Sequence, residues 1–287
     1  MRRAVVCAAA ITAALTVMAT HQVFAQRATF TSRLEAVRVD VSVTQRNRPV
    51  PGLTAADFEI FDNGVRQQVE LVATDELPLD LVLALDMSGS VTGARFEHLR
   101  GASRAALAAL TAGDKAGLIT FSARVSLPAP LTSDLDRIRE TRDLPDEQGT
   151  TSMIDAAYTA LAHADAGSGR ALAIVLSDGV DTSSWLTADS VVETAKRLDV
   201  VLFGISTGAP RRTPLEALAD ASGGDLIRIE STAQLSATLE QLIRAFRQRY
   251  LLSFVPQHVA RGGWHKIEVR MKRRGLNAKA RLGYFGS

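Results

Sequence analysis

The chain has 287 residues, of which 46% are hydrophobic and 22% charged, so it can bury a substantial core as one large domain or as one domain plus a smaller one. Its formal charge of +2 comes from Arg2 and Arg3, the only charges in residues 1–25; the remainder is neutral and gives no electrostatic reason to invoke nucleic acid. The single cysteine, Cys7, lies in the same stretch, so the rest of the chain can form no disulfide of its own.

Arg2 and Arg3 precede an apolar run from Ala4 to about Met18, and Val23-Phe24-Ala25 stands before Gln26. A basic start, an apolar middle and a small-residue cleavage site make residues 1–25 a secretory signal peptide, which implies a secreted or periplasmic protein. Left uncleaved, the segment would be a short anchor and the chain's only contact with a membrane.

Residues 26–76 read as a β segment. Val37, Val39, Val41 and Val43 alternate with polar residues, the pattern of a half-buried strand. Phe58 and Ile60 lead through Asp62-Asn63-Gly64 into Val65, Gln67, Val69 and Leu71. Asn-Gly between alternating runs signals a hairpin.

Over residues 77–249 strand-like and helical patterns alternate, which predicts a doubly wound, mostly parallel α/β sheet with helices on both faces. Strands are expected at Leu79–Asp86, Ala116–Ser122, Val125–Leu127, Ala171–Asp178, Val200–Ser206 and Asp225–Ile229. The expected helices are Phe96–Leu110, Ser133–Arg142, Met153–Ala164, Thr187–Leu198, Pro214–Ala221 and Leu235–Arg249. In the last of these Leu235, Leu239, Leu242, Ile243 and Phe246 share one face, at ordinary core spacing.

Residues 250–287 return to β style, with strands expected at Tyr250–Val255, Ile267–Met271 and Ala280–Tyr284, and Trp264 expected in their core. The two terminal β segments are too small to stand alone and are expected to pair into one small antiparallel domain, with the α/β domain inserted between them. From Arg244 onward Glu268 is the only acidic residue, which reads as solvated strand faces or as a basic docking surface.

The stretch with chemistry is Leu79–Ser90. A near-continuous apolar run reads as a strand buried on both faces, and it ends in Asp86-Met87-Ser88-Gly89-Ser90. In open α/β sheets the carboxyl rim of the strands is where ligands bind. One carboxylate and two hydroxyls there offer only oxygen donors, suited to a hard cation such as Mg²⁺. Asp-x-Ser-x-Ser is weak evidence alone. Two further oxygen-rich turns strengthen it: Gly149-Thr150-Thr151 before a helix, and Ser177-Asp178-Gly179 after another buried strand. If the two strands are neighbours at a switch in strand order, Asp86 and Asp178 flank one crevice.

These residues resemble the von Willebrand factor type A domains, whose metal-ion-dependent adhesion site combines Asp-x-Ser-x-Ser, a Thr in a Gly-rich loop and an Asp in an Asp-Gly turn. The resemblance implies a metal site of Asp86, Ser88, Ser90, Thr151 and Asp178. Thr151 is preferred to Thr150 because its spacing to Asp155 matches the family. Pro51–Glu59, Trp264–Val269 and Gly283-Tyr284-Phe285 resemble the flanks of a bacterial extracytoplasmic branch abundant in Acidobacteria. The implied fold is the doubly wound α/β sheet. The implied function is an extracytoplasmic, non-enzymatic adhesion module: Mg²⁺, with Mn²⁺ or Ca²⁺ as alternatives, would capture an Asp or Glu side chain of a partner protein. Val91-Thr92-Gly93-Ala94 follows the motif where a second, adjacent metal site would need acidic residues.

Other readings have less in the sequence behind them. Ser88 and Ser90 could simply cap a helix. A phosphatase using Asp86 as acceptor would need a second acid where Ser88 stands. No phosphate-binding Gly-rich loop ending in Lys-Ser/Thr is present, Ser88 lacks the frame of a hydrolase nucleophile, and His98 and His163 read as helix-surface residues. His258 and His265 form no zinc spacing. The runner-up is a scaffold whose metal site is vestigial or structural and which binds partners through its β domain or basic carboxyl-terminal surface.

Overall fold

The computed structural model describes residues 36–72, 77–88, 93–139, 149–177, 180–207 and 213–286. The expected signal segment, 1–25, lies outside the described residues. Among those described, no helix is long and apolar enough to cross a membrane.

The amino-terminal β segment contains β1 (Val37–Gln45), β2 (Arg48–Pro49), β3 (Phe58–Asp62), β4 (Val65–Gln67) and β5 (Glu70–Val72). The β3–β4 hairpin turns on Asn63 and Gly64, with φ of 48° and 84°, as the Asn-Gly pair predicted.

The α/β region follows. Its elements are β6 (Leu79–Asp86), α1 (Ala94–Ala108), β7 (Lys115–Phe121), β8 (Val125–Thr132), α2 (Leu135–Arg139), α3 (Met153–Asp165), β9 (Arg170–Leu176), α4 (Ala188–Ala195), β10 (Val200–Thr207), α5 (Pro214–Ser222), β11 (Leu226–Ile229) and α6 (Leu235–Arg247). The sheet order is β11-β10-β9-β6-β7-β8, parallel except for β8. Strand β6 is central and every residue of it is buried. Leu79, Leu81, Leu83 and Leu85 join α1 and α6 in one core, while Val82 and Ala84 join α3, α4 and α5 in the other. Residues alternate across a strand, so a core on each face demands an apolar side chain at nearly every position. That requirement is the origin of the apolar run seen in the sequence.

Strand β8 continues to Thr132, beyond the short segment expected there. Of the helix expected over Ser133–Arg142, Leu135–Arg139 is helical, and 140–148 lie outside the described residues.

The carboxyl-terminal strands are β12 (Tyr250–Phe254), β13 (Gly263–Met271), β14 (Asn277–Lys279) and β15 (Gly283–Gly286). They pair with the amino-terminal ones: β12 lies between β1 and β5, β14 beside β1, and β13 between β3 and β15. The resulting small antiparallel sheets enclose Val39, Val41, Phe58, Ile60, Leu252, Phe254, Ile267 and Tyr284.

Two expectations for this region fail. The strand expected over Ala280–Tyr284 starts only at Gly283, as β15; 280–282 lie between β14 and β15, which belong to different sheets. Leu282, in the break between them, is half exposed. Trp264 is not in the core. Alternation along β13 turns His265 and Ile267 inward, so Trp264 faces outward, where it meets Phe285 at 5.3 Å and Lys196 at 5.4 Å. A Cβ on Gly283 would come within 2.5 Å of the indole ring and 2.1 Å of the His265 carbonyl oxygen, which restricts that position to glycine.

Candidate metal centre

The parallel pairing of β6 with both β7 and β9 sets Asp86 opposite Phe121 and Leu85 opposite Leu176. The strands ending in Asp86 and in the Ser177 turn are therefore neighbours. The chain leaves β6 toward β7 and β8 on one side and later returns to β9 on the other, so the sheet switches direction at this crevice.

Asp86 is 2% exposed. Its Oδ1 accepts the Ser88 N–H at 2.9 Å and its Oδ2 accepts the Ser177 hydroxyl at 2.6 Å. The carboxylate is thereby locked between the ends of β6 and β9, and it orients the turn carrying Ser88. Ser90 and Asp178 lie outside the described residues, one two positions beyond Ser88 and the other immediately after Ser177.

Thr151 reaches the same rim through a chain of backbone bonds. Met87 N–H donates to the Phe121 carbonyl at 2.7 Å, and Ser152 N–H to the Ser122 carbonyl at 2.7 Å. The opposite side of the Thr151 loop is tied to the segment after β9. Thr151 C=O accepts the N–H groups of Thr182 and Ser183, and its own N–H donates to Thr182 Oγ1 at 2.9 Å. Ser152 and Ser183 share a hydroxyl contact at 2.9 Å.

Ser88 is 5% and Thr151 7% exposed. Neither hydroxyl oxygen is among the buried side-chain atoms left without a hydrogen-bond partner, which among the described residues are Asp80 Oδ1, Thr120 Oγ1, His265 Nε2 and Arg281 Nε. No group of three or more His, Cys, Asp and Glu gathers among the described residues. Two hydroxyl-bearing residues at the rim beside a locked carboxylate offer the oxygen donors that a hard divalent cation takes.

Sequence reasoning missed what holds this rim. Asp155 accepts Trp185 N–H at 3.0 Å and Leu186 N–H at 2.9 Å. Ser184 Oγ accepts from Ile154 and Asp155 N–H, both at 3.1 Å, and donates to Asp181. The available signal was the run Asp181-Thr182-Ser183-Ser184, four short oxygen-bearing side chains one residue past Asp178-Gly179. His98 and His163, expected at helix surfaces, lie on α1 and α3, and both are half-buried and hydrogen-bonded. His163 is half-buried, its pKa pushed down by burial, and its Nε2 accepts Leu131 N–H at 2.8 Å. His98 Nδ1 lies 2.8 Å from Thr232 Oγ1.

A sequence model of the von Willebrand factor type A domain matches residues 80–242, more than half of the chain. The chain belongs to this family. No curated protein sequence matches the chain. Among solved von Willebrand factor type A folds, one from Catenulispora acidiphila is 15% identical with a TM-score of 0.54, over 88% of this chain and 73% of that one. Proximal thread matrix protein 1 from the mussel byssus is 18% identical with a TM-score of 0.52, over 59% of this chain and 48% of that one. A form of the mussel protein with a zinc occupied MIDAS motif is 16% identical with a TM-score of 0.53, over 64% of this chain and 49% of that one. The chain thus aligns to about half the length of the mussel protein. At these identities the likeness is one of type A fold, β flanks included where coverage reaches 88%.

Proposed function

We propose that this protein is an extracytoplasmic, non-enzymatic binding module that docks an acidic side chain of a partner protein through a divalent cation. The observation that carries the reading is the gathering of Ser88 and Thr151, two hydroxyl-bearing residues, at the sheet rim beside a carboxylate locked in place. In this reading Ser88, Ser90 and Thr151 hold Mg²⁺ directly, and Asp86 and Asp178 hold it through water; Mn²⁺ and Ca²⁺ are the alternatives. A cation held mainly by neutral oxygens keeps unneutralised charge and supplies an attraction for a carboxylate. The mussel protein's zinc occupied MIDAS motif supports the idea that this fold can seat a divalent ion. The apolar segment at 4–18 supports secretion or periplasmic placement.

The runner-up, docking through the basic carboxyl-terminal surface, has less charge to offer than the sequence suggests. Lys279 is paired with Asp220 and Asp225, Arg270 with Glu268, and Arg281 with Asp199.

The test is Mg²⁺ titration of the chain lacking residues 1–25, followed by calorimetry and thermal shift. Saturable binding that is lost in both Ser88→Ala and Thr151→Ala supports the reading. An unchanged response in both variants, or no response in the parent, overturns it.

A further inference from the structure

Trp185 is 94% exposed. No other large hydrophobic side chain among the described residues is so completely in water. Its backbone, by contrast, is held firmly. The Trp185 N–H and its neighbour Leu186 N–H both donate to Asp155, and Ser184 Oγ caps the first turn of α3. Two residues earlier, Ser183 N–H donates to the Thr151 carbonyl at 3.2 Å. The segment that displays the indole is therefore bonded to the same short stretch, 151–155, that carries Thr151.

Distance decides what can cover this side chain. Two residues span at most about 7 Å, so the Trp185 backbone lies within about 10 Å of the Thr151 carbonyl. A protein–protein contact of ordinary size covers about 800 Å² on each side, a disc of about 16 Å radius. Any partner of ordinary footprint centred on Thr151 must therefore cover Trp185. Val180, 59% exposed and just past Asp178, and Tyr158, one helical turn along α3 from Asp155, add apolar surface to this side of the rim. Tryptophan is enriched among residues that dominate binding energy, and a pinned backbone leaves little conformational entropy to lose on contact.

We propose that Trp185 is the apolar anchor of the docking surface, and that the partner presents an Asp or Glu with an apolar patch beside it. The proposal rests on the metal-dependent reading above for the acidic half of that signature. Asp155 is a positioning residue: its carboxylate holds the 185–186 backbone and so aims the indole.

The test uses a displayed library of random twelve-residue peptides, selected on the immobilised chain lacking residues 1–25 in Mg²⁺ and in chelator. Peptides carrying an acid together with an aromatic or large aliphatic residue are expected to be enriched in Mg²⁺. For the best peptide, Trp185→Ala is expected to weaken binding about thirtyfold, Trp185→Phe less, with thermal stability and Mg²⁺ binding unchanged. In a Trp264→Phe background the emission of Trp185, the one remaining tryptophan, is expected to shift on peptide binding. Acid-only enrichment, equal in Trp185→Ala, overturns this proposal and leaves the metal reading standing. Apolar enrichment that needs Trp185 but ignores chelator retains the anchor and overturns the metal reading. No enrichment overturns the proposal, as does dimerisation abolished by Trp185→Ala, because the occupant would then be a second copy of the chain.

Discussion

Arg249 Nε donates to Asp40 Oδ1 at 2.5 Å, closing a contact between residues 209 positions apart. The other carboxylate oxygen of Asp40 accepts from Arg170 at 2.7 Å, and Arg249 also donates to the carbonyls of Asp40 and Gly223. One buried carboxylate on β1 thus ties the first residue of β9 to the residue preceding β12. Burial pushes the Arg249 guanidinium below its ordinary value, and Asp40 opposes that shift.

Replacing Asp40 by Ala would leave two buried guanidiniums without a counter-charge, a change that typically costs about 3–5 kcal/mol. Urea denaturation of Asp40→Ala is expected to show a loss of that size. A loss below about 1 kcal/mol would mean that the clamp contributes nothing net to stability.

Asp114 supplies a pH dependence. Burial raises its carboxyl, but the N–H groups of Leu79 and Thr111 and the Arg247 guanidinium outweigh burial and hold it below its ordinary value of 3.8. A depressed carboxyl contributes stability above its ordinary pKa and loses it as pH falls through the folded value. The stability gap between the parent chain and Asp114→Asn is therefore expected to be constant above about pH 5 and to shrink below pH 3.8. Melting temperatures from pH 2 to 7 check it; a gap independent of pH would contradict it.

Tyr284 behaves in the opposite sense. Its hydroxyl donates to Asp62 Oδ2 at 2.7 Å, and Asp62, fully buried, also meets His265 Nδ1 at 2.8 Å. Burial, reinforced by the Asp62 hydrogen bond and charge, raises the phenol well above its ordinary value of 10.0. A raised pKa gives stability below the ordinary value that is lost as pH climbs toward the folded one. Stability is thus expected to fall above pH 10, more shallowly in Tyr284→Phe. At neutral pH that variant is expected to lose about 1–3 kcal/mol, since a buried carboxylate oxygen loses its donor. Ultraviolet titration of the phenols and chemical denaturation check both; a Tyr284 that ionises near pH 10 would refute the assignment.

Asp86→Ala and Ser88→Ala should part company. Asp86 binds Ser177 and the Ser88 backbone in a buried turn, so its removal is expected to cost about 1–3 kcal/mol in the absence of metal. Ser88→Ala leaves the backbone N–H bond to Asp86 in place, so it is expected to cost under about 0.5 kcal/mol. Thermal melts in chelator measure both, and equal losses would indicate a structural role for the Ser88 hydroxyl.

Much of this was legible in the chain itself. Eight buried residues in a row at 79–86 specify a strand covered on both faces, and alternation at 37–43 specifies one covered on a single face, because side-chain direction follows from backbone period alone. Asn63-Gly64 specified its turn because few residue pairs accept two positive φ angles. The five oxygen-bearing residues proposed to bind metal, Asp86, Ser88, Ser90, Thr151 and Asp178, were legible only through resemblance to the family's motif; of these Asp86 ends β6, Ser88 follows it, Thr151 precedes α3, and Ser90 and Asp178 lie outside the described residues.

Contacts made across the fold were not. Asp40 sits in an alternating strand where a polar residue reads as solvent-facing, yet it is buried because Arg170 and Arg249 arrive from 130 and 209 residues away. Trp264 and Tyr284 are both aromatic, and only the register of β13 against β15 sends one outward and the other into the core. Nothing local told Asp155 to hold Trp185 and Leu186. Periodicity determines which face of an element is apolar; which residue stands opposite, and hence which charge is paired and which tryptophan is left in water, is decided only when elements distant in sequence pack together.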